Sequence, residues 1–379
     1  MTHAAAQAVN PSAAIPSLDG IRAIAVALVF FAHNGFDKIV PGGLGVTVFF
    51  VLSGYLISTL LRMEFATTQK VDYRGFYLRR FLRLMPPLAI VVAIAGILTL
   101  CSVIDGAFTT NGLLSVLFYY GNYFVIAHDF NGLPAGLGVV WSLAVEEHFY
   151  FLYPPLALVL LRTGRRGISA MTLLTLCALI LGWRCWLALH GASEARLTMA
   201  TDTRVDAILI GCLMALWRNP WLDVQRTTNA RSAIPLIAMC VATLLFTLVY
   251  RDEFFRLTFR HSLQALAIAP LIYFAVVHAK HAAFSWLNAQ PLIYIGTISY
   301  TVYLSHHIIL LMVDKHFPQL SRLVAILVTT LITLAFAEAM RRWIEAPCAR
   351  LRKRLHKHQQ TTRTANSAVI PPRAFRGTL

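Results

Sequence analysis

Charge is scarce in this chain of 379 residues: Asp, Glu, Lys and Arg together make up 13%, about half the share carried by a soluble domain. A soluble protein of this size needs far more polar surface. A soluble enzyme, a nucleic-acid-binding domain and a disordered chain are therefore excluded. Cysteine is sparse too. The six (Cys101, Cys177, Cys185, Cys212, Cys240, Cys348) show no CxxC spacing, and the first five fall in apolar runs. Buried free thiols are expected rather than a disulfide framework or a zinc site, and no metal is implied. Acids are scarcer than bases, 17 against 33, which leaves a net charge of +16. Much of that excess is local: from Arg341 onward ten Lys/Arg face one acid, Glu345, the pattern of a cytosolic tail lying near anionic lipid. No Lys or Arg precedes Arg22, so the basic start of a signal peptide is missing and the first apolar run is expected to stay as a helix.

What the chain has in abundance is apolar length. Hydrophobic residues make up 58%, mean hydropathy is +0.64, and the runs reach about 20 residues, enough to cross a bilayer as helices. The expected fold is all-α, a polytopic transmembrane bundle of about ten spans: 21–35, 44–61, 84–104, 139–161, 168–189, 205–217, 233–250, 262–278, 293–313 and 323–343. A further stretch, 113–127, is apolar but interrupted by Gly121 and Asn122. With ten spans and an inside N-terminus the inside segments hold 24 Lys/Arg and the outside ones 9; an eleventh span would make the split 15 against 18. The positive-inside rule therefore favours ten, with both termini cytosolic and 113–127 re-entrant or packed at the outer surface. Residues 1–17 read as a cytosolic segment, 18–347 as the membrane domain and 348–379 as a basic cytosolic tail, disordered at its end. No internal repeat is visible.

Several ionisable residues fall inside these spans, where they are costly and face the bundle interior or a water-filled cavity. In SLDGIRAIAVALVFFAH, Arg22 and His33 lie 11 residues apart, one helix face and about 16 Å along the axis. Snorkelling of Arg22 and an interfacial hydrogen bond for His33 explain either alone, but not the pair on one face. In FYLRRFLRLMPPL, Arg79, Arg80 and Arg83 form a short amphipathic stretch ended by Pro86 and Pro87, with guanidinium forks suited to phosphate oxygens. WSLAVEEHFYFLYPP places Trp141, Ser142, Glu146, Glu147 and His148 at the outer start of a span; Ser142, Glu146 and Tyr150 share a face. TDTRVD reads as a local ion-pair set of Asp202, Arg204 and Asp206. ISYTVYLSHH places Ser299, Tyr300, Tyr303, His306 and His307 on a helix with one polar face.

Taken together, LDGIRAIAV…H, GGLGVTVFFVLSGYLIS, RRFLRLMPP, WSLAVEEHFY, TRVD, ISYTVYLSHH and IEAP resemble the acyltransferase-3 family of integral membrane acyltransferases, in the family's order from about Leu18 to Pro347. The resemblance implies transfer of an acyl group, usually acetyl from acetyl-CoA, to a hydroxyl of a carbohydrate acceptor. It also implies essential roles for the residues matched by Arg22, His33, Arg80 and Arg83. Two positions depart from the pattern: Thr47 stands where Asp is common, and His148 where Gln is common. Many relatives carry a soluble SGNH-type domain after the membrane part; with 34 residues after Glu345, it is expected to be absent here.

On this reading CoA phosphates meet Arg80, Arg83 and Arg22 on the inside, and the pantetheine arm spans the distance to His33, which with Glu146 carries the chemistry. Trp141, Ser142, Tyr300 and His306 are expected to hold the acceptor. Histidine suits proton transfer from a sugar hydroxyl to the departing thiolate, and Glu146 either orients His33 or holds the acceptor. A covalent acyl-histidine and direct transfer both remain open. The expected partners are a carbohydrate acceptor, membrane lipid and polysaccharide-biosynthesis proteins, with no nucleic acid. The expected location is a bacterial inner membrane. A transporter or flippase of a lipid-linked sugar would also place Arg, His and Glu in the membrane, but the chain has no repeated half or paired broken helices. A purely structural partner leaves the Arg22/His33 face unexplained.

Overall fold

The structure, a computed structural model, describes residues 14–223 and 230–354. The elements run α1 (Leu18–Phe31), α2 (Gly42–Thr68), α3 (Tyr73–Leu100), α4 (Thr110–Leu117), α5 (Gly121–His128), α6 (Trp141–Arg162), α7 (Arg166–Leu189), α8 (Glu194–Met199), α9 (Thr201–Arg204) and α10 (Asp206–Trp217). They continue with α11 (Ala230–Val249), α12 (Glu253–Leu257), α13 (Phe259–Val277), α14 (Ala282–Ser285), α15 (Gln290–His316) and α16 (Arg322–Met340). There are no named strands among the described residues. Each of the ten apolar runs falls on a helix: α1, α2, α3, α6, α7, α10, α11, α13, α15 and α16. Among the described residues seven helices are long and apolar enough to cross a membrane. Of the other three, α10 and α11 are apolar but shorter there, and α6 carries Glu146 and Glu147 within its 22 residues. The protein is a multi-pass helical membrane bundle.

Large apolar side chains such as Leu179, Leu245, Val249, Leu327 and Leu331 are exposed around the bundle. In water such a surface would drive association; in lipid it is the solvent-facing side. Inside, α2 and α10 approach so closely that a Cβ at Gly54 would lie 1.9 Å from the Ile208 carbonyl oxygen, and one at Gly211 would lie 2.1 Å from that of Val51. Without a hydrophobic drive between helices in lipid, small residues that let backbones meet supply the packing. Stretch 113–127 forms α4 and α5, each eight residues and so about 12 Å long, too short to cross. They pack against α3, α6 and α8.

Two local expectations fail. Pro86 and Pro87 do not end the arginine-bearing stretch; both lie inside α3, a single 28-residue helix. Proline removes an N–H and crowds the preceding turn, here taking the helical donors from the Leu82 and Arg83 carbonyls, but a membrane helix tolerates such a site where its surroundings compensate; in the same turn Tyr300 donates to the Leu84 carbonyl at 2.8 Å. The first span does not stay α-helical to its end: Ala32–Phe36 is a π-helical turn, with Asn34 and Gly35 outside helical geometry and Gly35 at φ 86°. The departure from helical geometry begins at Asn34, one residue past His33. The tail beyond residue 354 and the segment before residue 14 lie outside the described residues.

Candidate active site

A cavity of about 770 Å³, its open mouth included, lies between α1, α2, α3, α6 and α15. Its polar lining includes Arg22, Arg80, Arg83, Ser142, Glu146 and Tyr300, six of the nine residues expected at the site. Because α3 runs unbroken past the prolines, it carries Arg80 and Arg83 to the wall. The Arg80 guanidinium lies 4.7 Å from the centre of the Tyr150 ring. The Tyr150 hydroxyl is 2.8 Å from Glu146 Oε2 and 3.0 Å from Ser53 Oγ. With one hydrogen to give, it donates to the carboxylate and accepts from the serine. Arg22 reaches the same space while paired with Asp19 at 2.5 Å.

The second feature is a histidine cluster at the end of α1. His33 stands on the π turn, exposed; such turns recur at functional sites. Its Nδ1 lies 2.9 Å from the Val29 carbonyl and 3.2 Å from His306 Nε2. His306 is fully buried, and its own Nδ1 faces the carbonyls of Tyr303 and Val302 at 2.8 and 3.1 Å. Carbonyls only accept, so His306 carries its proton on Nδ1 and offers Nε2 as acceptor. His33 Nδ1–H then donates to Val29 and His306 together, which leaves His33 Nε2 as a free base. The His307 ring centre lies 5.0 Å from that of His33. This tautomer assignment follows from the hydrogen-bond network.

Tyr303 joins the two features. Its hydroxyl donates to the Val139 carbonyl at 2.7 Å and accepts from Ser142 Oγ at 2.7 Å, and its ring centre is 5.9 Å from that of His306. Ser142 and Tyr300 are thus brought to the cavity. Trp141 borders a separate apolar hollow of about 230 Å³, and His306 is buried behind His33. His33 takes its orienting hydrogen bonds from Val29 and His306, whereas Glu146 bonds to Tyr150.

The sequence reading missed Tyr150, Ser53 and His307 as site residues. Only the four-residue spacing of Glu146 and Tyr150 hinted at the first. Nor do Asp202, Arg204 and Asp206 pair with one another. Asp202 pairs with Arg196 at 2.5 Å, and Asp206 pairs with the buried Arg184 at 3.1 Å. Arg204, 1% exposed, lies 5.6 Å from the Phe50 ring centre and 3.5 Å from Thr47 Oγ1, so Thr47 stands opposite a buried guanidinium. His148 Nδ1 lies 2.7 Å from Thr201 Oγ1, and Asn122 donates to that hydroxyl at 3.1 Å. His148 therefore ties α6 to α5 and α9.

Residues 15–341 match the profile of the Acyltransferase domain family. Among curated proteins, the chain is 32% identical over 308 residues to "Putative peptidoglycan O-acetyltransferase YrhL" of Bacillus subtilis (strain 168), covering 77% of this chain and 48% of that one. It is 30% identical over 349 residues to "O-acetyltransferase OatA" of Staphylococcus aureus (strain NCTC 8325 / PS 47), covering 88% and 57%. It is equally identical over the same length to "Peptidoglycan O-acetyltransferase OatA" of Listeria monocytogenes, covering 88% and 55%. The chain spans about half the length of the curated relatives it matches. No solved structure matches it. The match over 15–341, which holds the arginine-lined cavity and the histidine cluster, places this chain in the acyltransferase-3 family, that of the Acyltransferase domain.

Proposed function

We propose that the chain is a membrane O-acyltransferase that moves an acetyl group from acetyl-CoA on the cytosolic side to a hydroxyl of a carbohydrate at the outer face. Peptidoglycan, for which two of the relatives are named, is the leading acceptor class. The observation that carries this reading is the nearness of two features on either side of Tyr303: an arginine-lined cavity suited to a polyanion, and, past the His306 ring 5.9 Å from that of Tyr303, an exposed histidine with a free Nε2. Donor phosphates bind Arg22, Arg80 and Arg83 through charge-assisted hydrogen bonds. The Tyr150 ring holds Arg80 in place, and the Tyr150 hydroxyl holds Glu146. The thioester reaches past Tyr303, where His33 Nε2 accepts the hydroxyl proton. The acceptor oxygen bonds to the acyl carbon, the carbon–sulfur bond breaks, and His33 returns the proton to the thiolate of CoA.

The Lys/Arg asymmetry supports an inner-membrane orientation with both termini cytosolic. The test is transfer by the purified protein in lipid nanodiscs, supplied with radiolabelled acetyl-CoA and glycan fragments. Label on glycan hydroxyls is the expected result; label that stays on the donor under all acceptors refutes the reading.

A further inference from the structure

A second cavity, about 650 Å³ with its mouth included, lies end to end with the first. Ala14, Ile15, Leu18, Asp19, Leu60, Met63 and Trp221 line it, and Arg22 and Leu56 line both. One face of α2 runs through the pair: Val46, Phe49, Ser53 and Leu56 in the first, Leu56, Leu60 and Met63 in the second. Steps of three and four residues hold one helix face, and the rise from Val46 to Met63 is about 26 Å. That is a length for an extended acyl-CoA, not for a small acyl donor.

We propose that the second cavity holds the adenine base of the donor, stacked on Trp221, with its exocyclic amine donating to Asp19. The proposal rests on the donor reading above and assigns the part of the donor that reading leaves unplaced. Its walls are built rather than loose. Trp221 follows Asn219, which is fully buried; the Asn219 side-chain oxygen accepts from the Trp221 and Leu222 N–H groups at 2.9 and 3.1 Å, and its amide donates to Thr59 Oγ1 at 2.8 Å. Two residues on, Asp223 takes the Arg62 fork at 2.7 and 2.5 Å. On the other side, Ser17 fixes the start of α1: its N–H donates to Asn288 at 2.7 Å and its hydroxyl to the Ala275 carbonyl at 2.8 Å.

The chemistry selects the base. A carboxylate only accepts, and the adenine edge offers an amine donor. Arg22 binds Asp19 through Oδ1, and a carboxylate has a second oxygen to offer. Arg22 stands where the cavities meet, the place of the donor's phosphates between base and pantetheine. A lipid chain would fill the apolar wall but gain nothing from Asp19.

The test is donor kinetics of the full chain in nanodiscs of phosphatidylethanolamine and phosphatidylglycerol. Three donors are compared: acetyl-CoA, its hypoxanthine analogue, which lacks the amine, and acetyl-4′-phosphopantetheine, which lacks the nucleotide. Loss of an aromatic stack should raise KM for acetyl-CoA about tenfold in Trp221→Ala, with KM for acetyl-4′-phosphopantetheine unmoved and Trp221→Phe restoring most of the loss. The hypoxanthine donor should suffer about tenfold in the wild type. Adenosine 3′,5′-bisphosphate should compete with acetyl-CoA in the wild type, which decides the matter should Trp221→Ala fail to fold. A Trp221→Ala effect equal for both acetyl donors or set by lipid composition, a wild type indifferent to the amine, or no competition overturns the assignment. Any of these with normal acetyl-CoA turnover leaves the donor reading standing. A wild type that refuses acetyl-CoA but uses another acetyl donor overturns both.

Discussion

Removing the Tyr150 hydroxyl separates the residue's two contacts, the ring against Arg80 and the hydroxyl on Glu146. Tyr150→Phe keeps the ring 4.7 Å from the guanidinium, so the cation–π contact, worth about 0.5–2 kcal/mol, survives. It removes the 2.8 Å hydrogen bond to Glu146. A bond to a charged acceptor is worth about 1.5–3 kcal/mol. The released carboxylate then competes with the donor for Arg80, which lines the same cavity. At about 1.4 kcal/mol per tenfold, KM for acetyl-CoA should rise about 10- to 100-fold with kcat little changed. Glu146→Gln in the Tyr150→Phe background removes the competing charge and should recover most of the loss, a coupling that a double-mutant cycle reads directly. Tyr150→Ala should be worse than Tyr150→Phe, because the ring contact goes too. The assay is initial rate against donor concentration in nanodiscs. An unchanged KM in well-folded Tyr150→Phe, or additive losses in the double variant, refutes the reasoning.

Three further outcomes follow from the packing. Gly54→Val should destabilise the bundle by about 1–3 kcal/mol or prevent its assembly, because the new Cβ meets the Ile208 carbonyl; normal thermal stability in detergent refutes the close approach. Thr47→Asp should raise the melting temperature, since buried Arg204 has Nε and Nη1 without partners and a charged hydrogen bond contributes about 1.5–3 kcal/mol; a fall refutes it. Burial alone would push the Asp223 carboxyl up, but the Arg62 fork and the Asn219 N–H hold it below the usual carboxylate range. Its contribution is therefore present above the unfolded value of about 3.9 and lost as pH falls through the lower folded one. Asp223→Asn should flatten the acid limb of stability against pH, and an unchanged limb contradicts the role.

Apolar length was legible because a bilayer imposes it: all ten runs are helical, and the interrupted 113–127 stretch folds as two short helices. Six of the nine expected site residues line one cavity, since intramembrane charge and hydroxyls have few places to go. What the sequence could not show was partnership across the bundle. Periodicity places a residue on a face but does not name the helix opposite. His33 meets His306, 273 positions away, and Arg204 meets Thr47 rather than its neighbours in TRVD. Pro86 and Pro87 misled because the rule that proline ends a helix holds less strictly in a membrane-spanning helix, and α3 runs on through both. The π turn at Ala32–Phe36, which turns the chain away just past His33, cannot be read from composition.

The central claim is that His33 moves the proton while the arginines hold the donor. Equilibrium binding of acetyl-CoA and acetyl transfer, measured side by side on His33→Ala and His306→Ala in nanodiscs, test it most directly. The account predicts that His33→Ala lowers transfer about 10²–10⁴-fold with donor affinity unchanged. His306→Ala, which loses a hydrogen bond that fixes the His33 tautomer, should fall by less. Near-normal transfer in His33→Ala alongside an inactive, folded His306→Ala would contradict it and make α15 the catalytic helix.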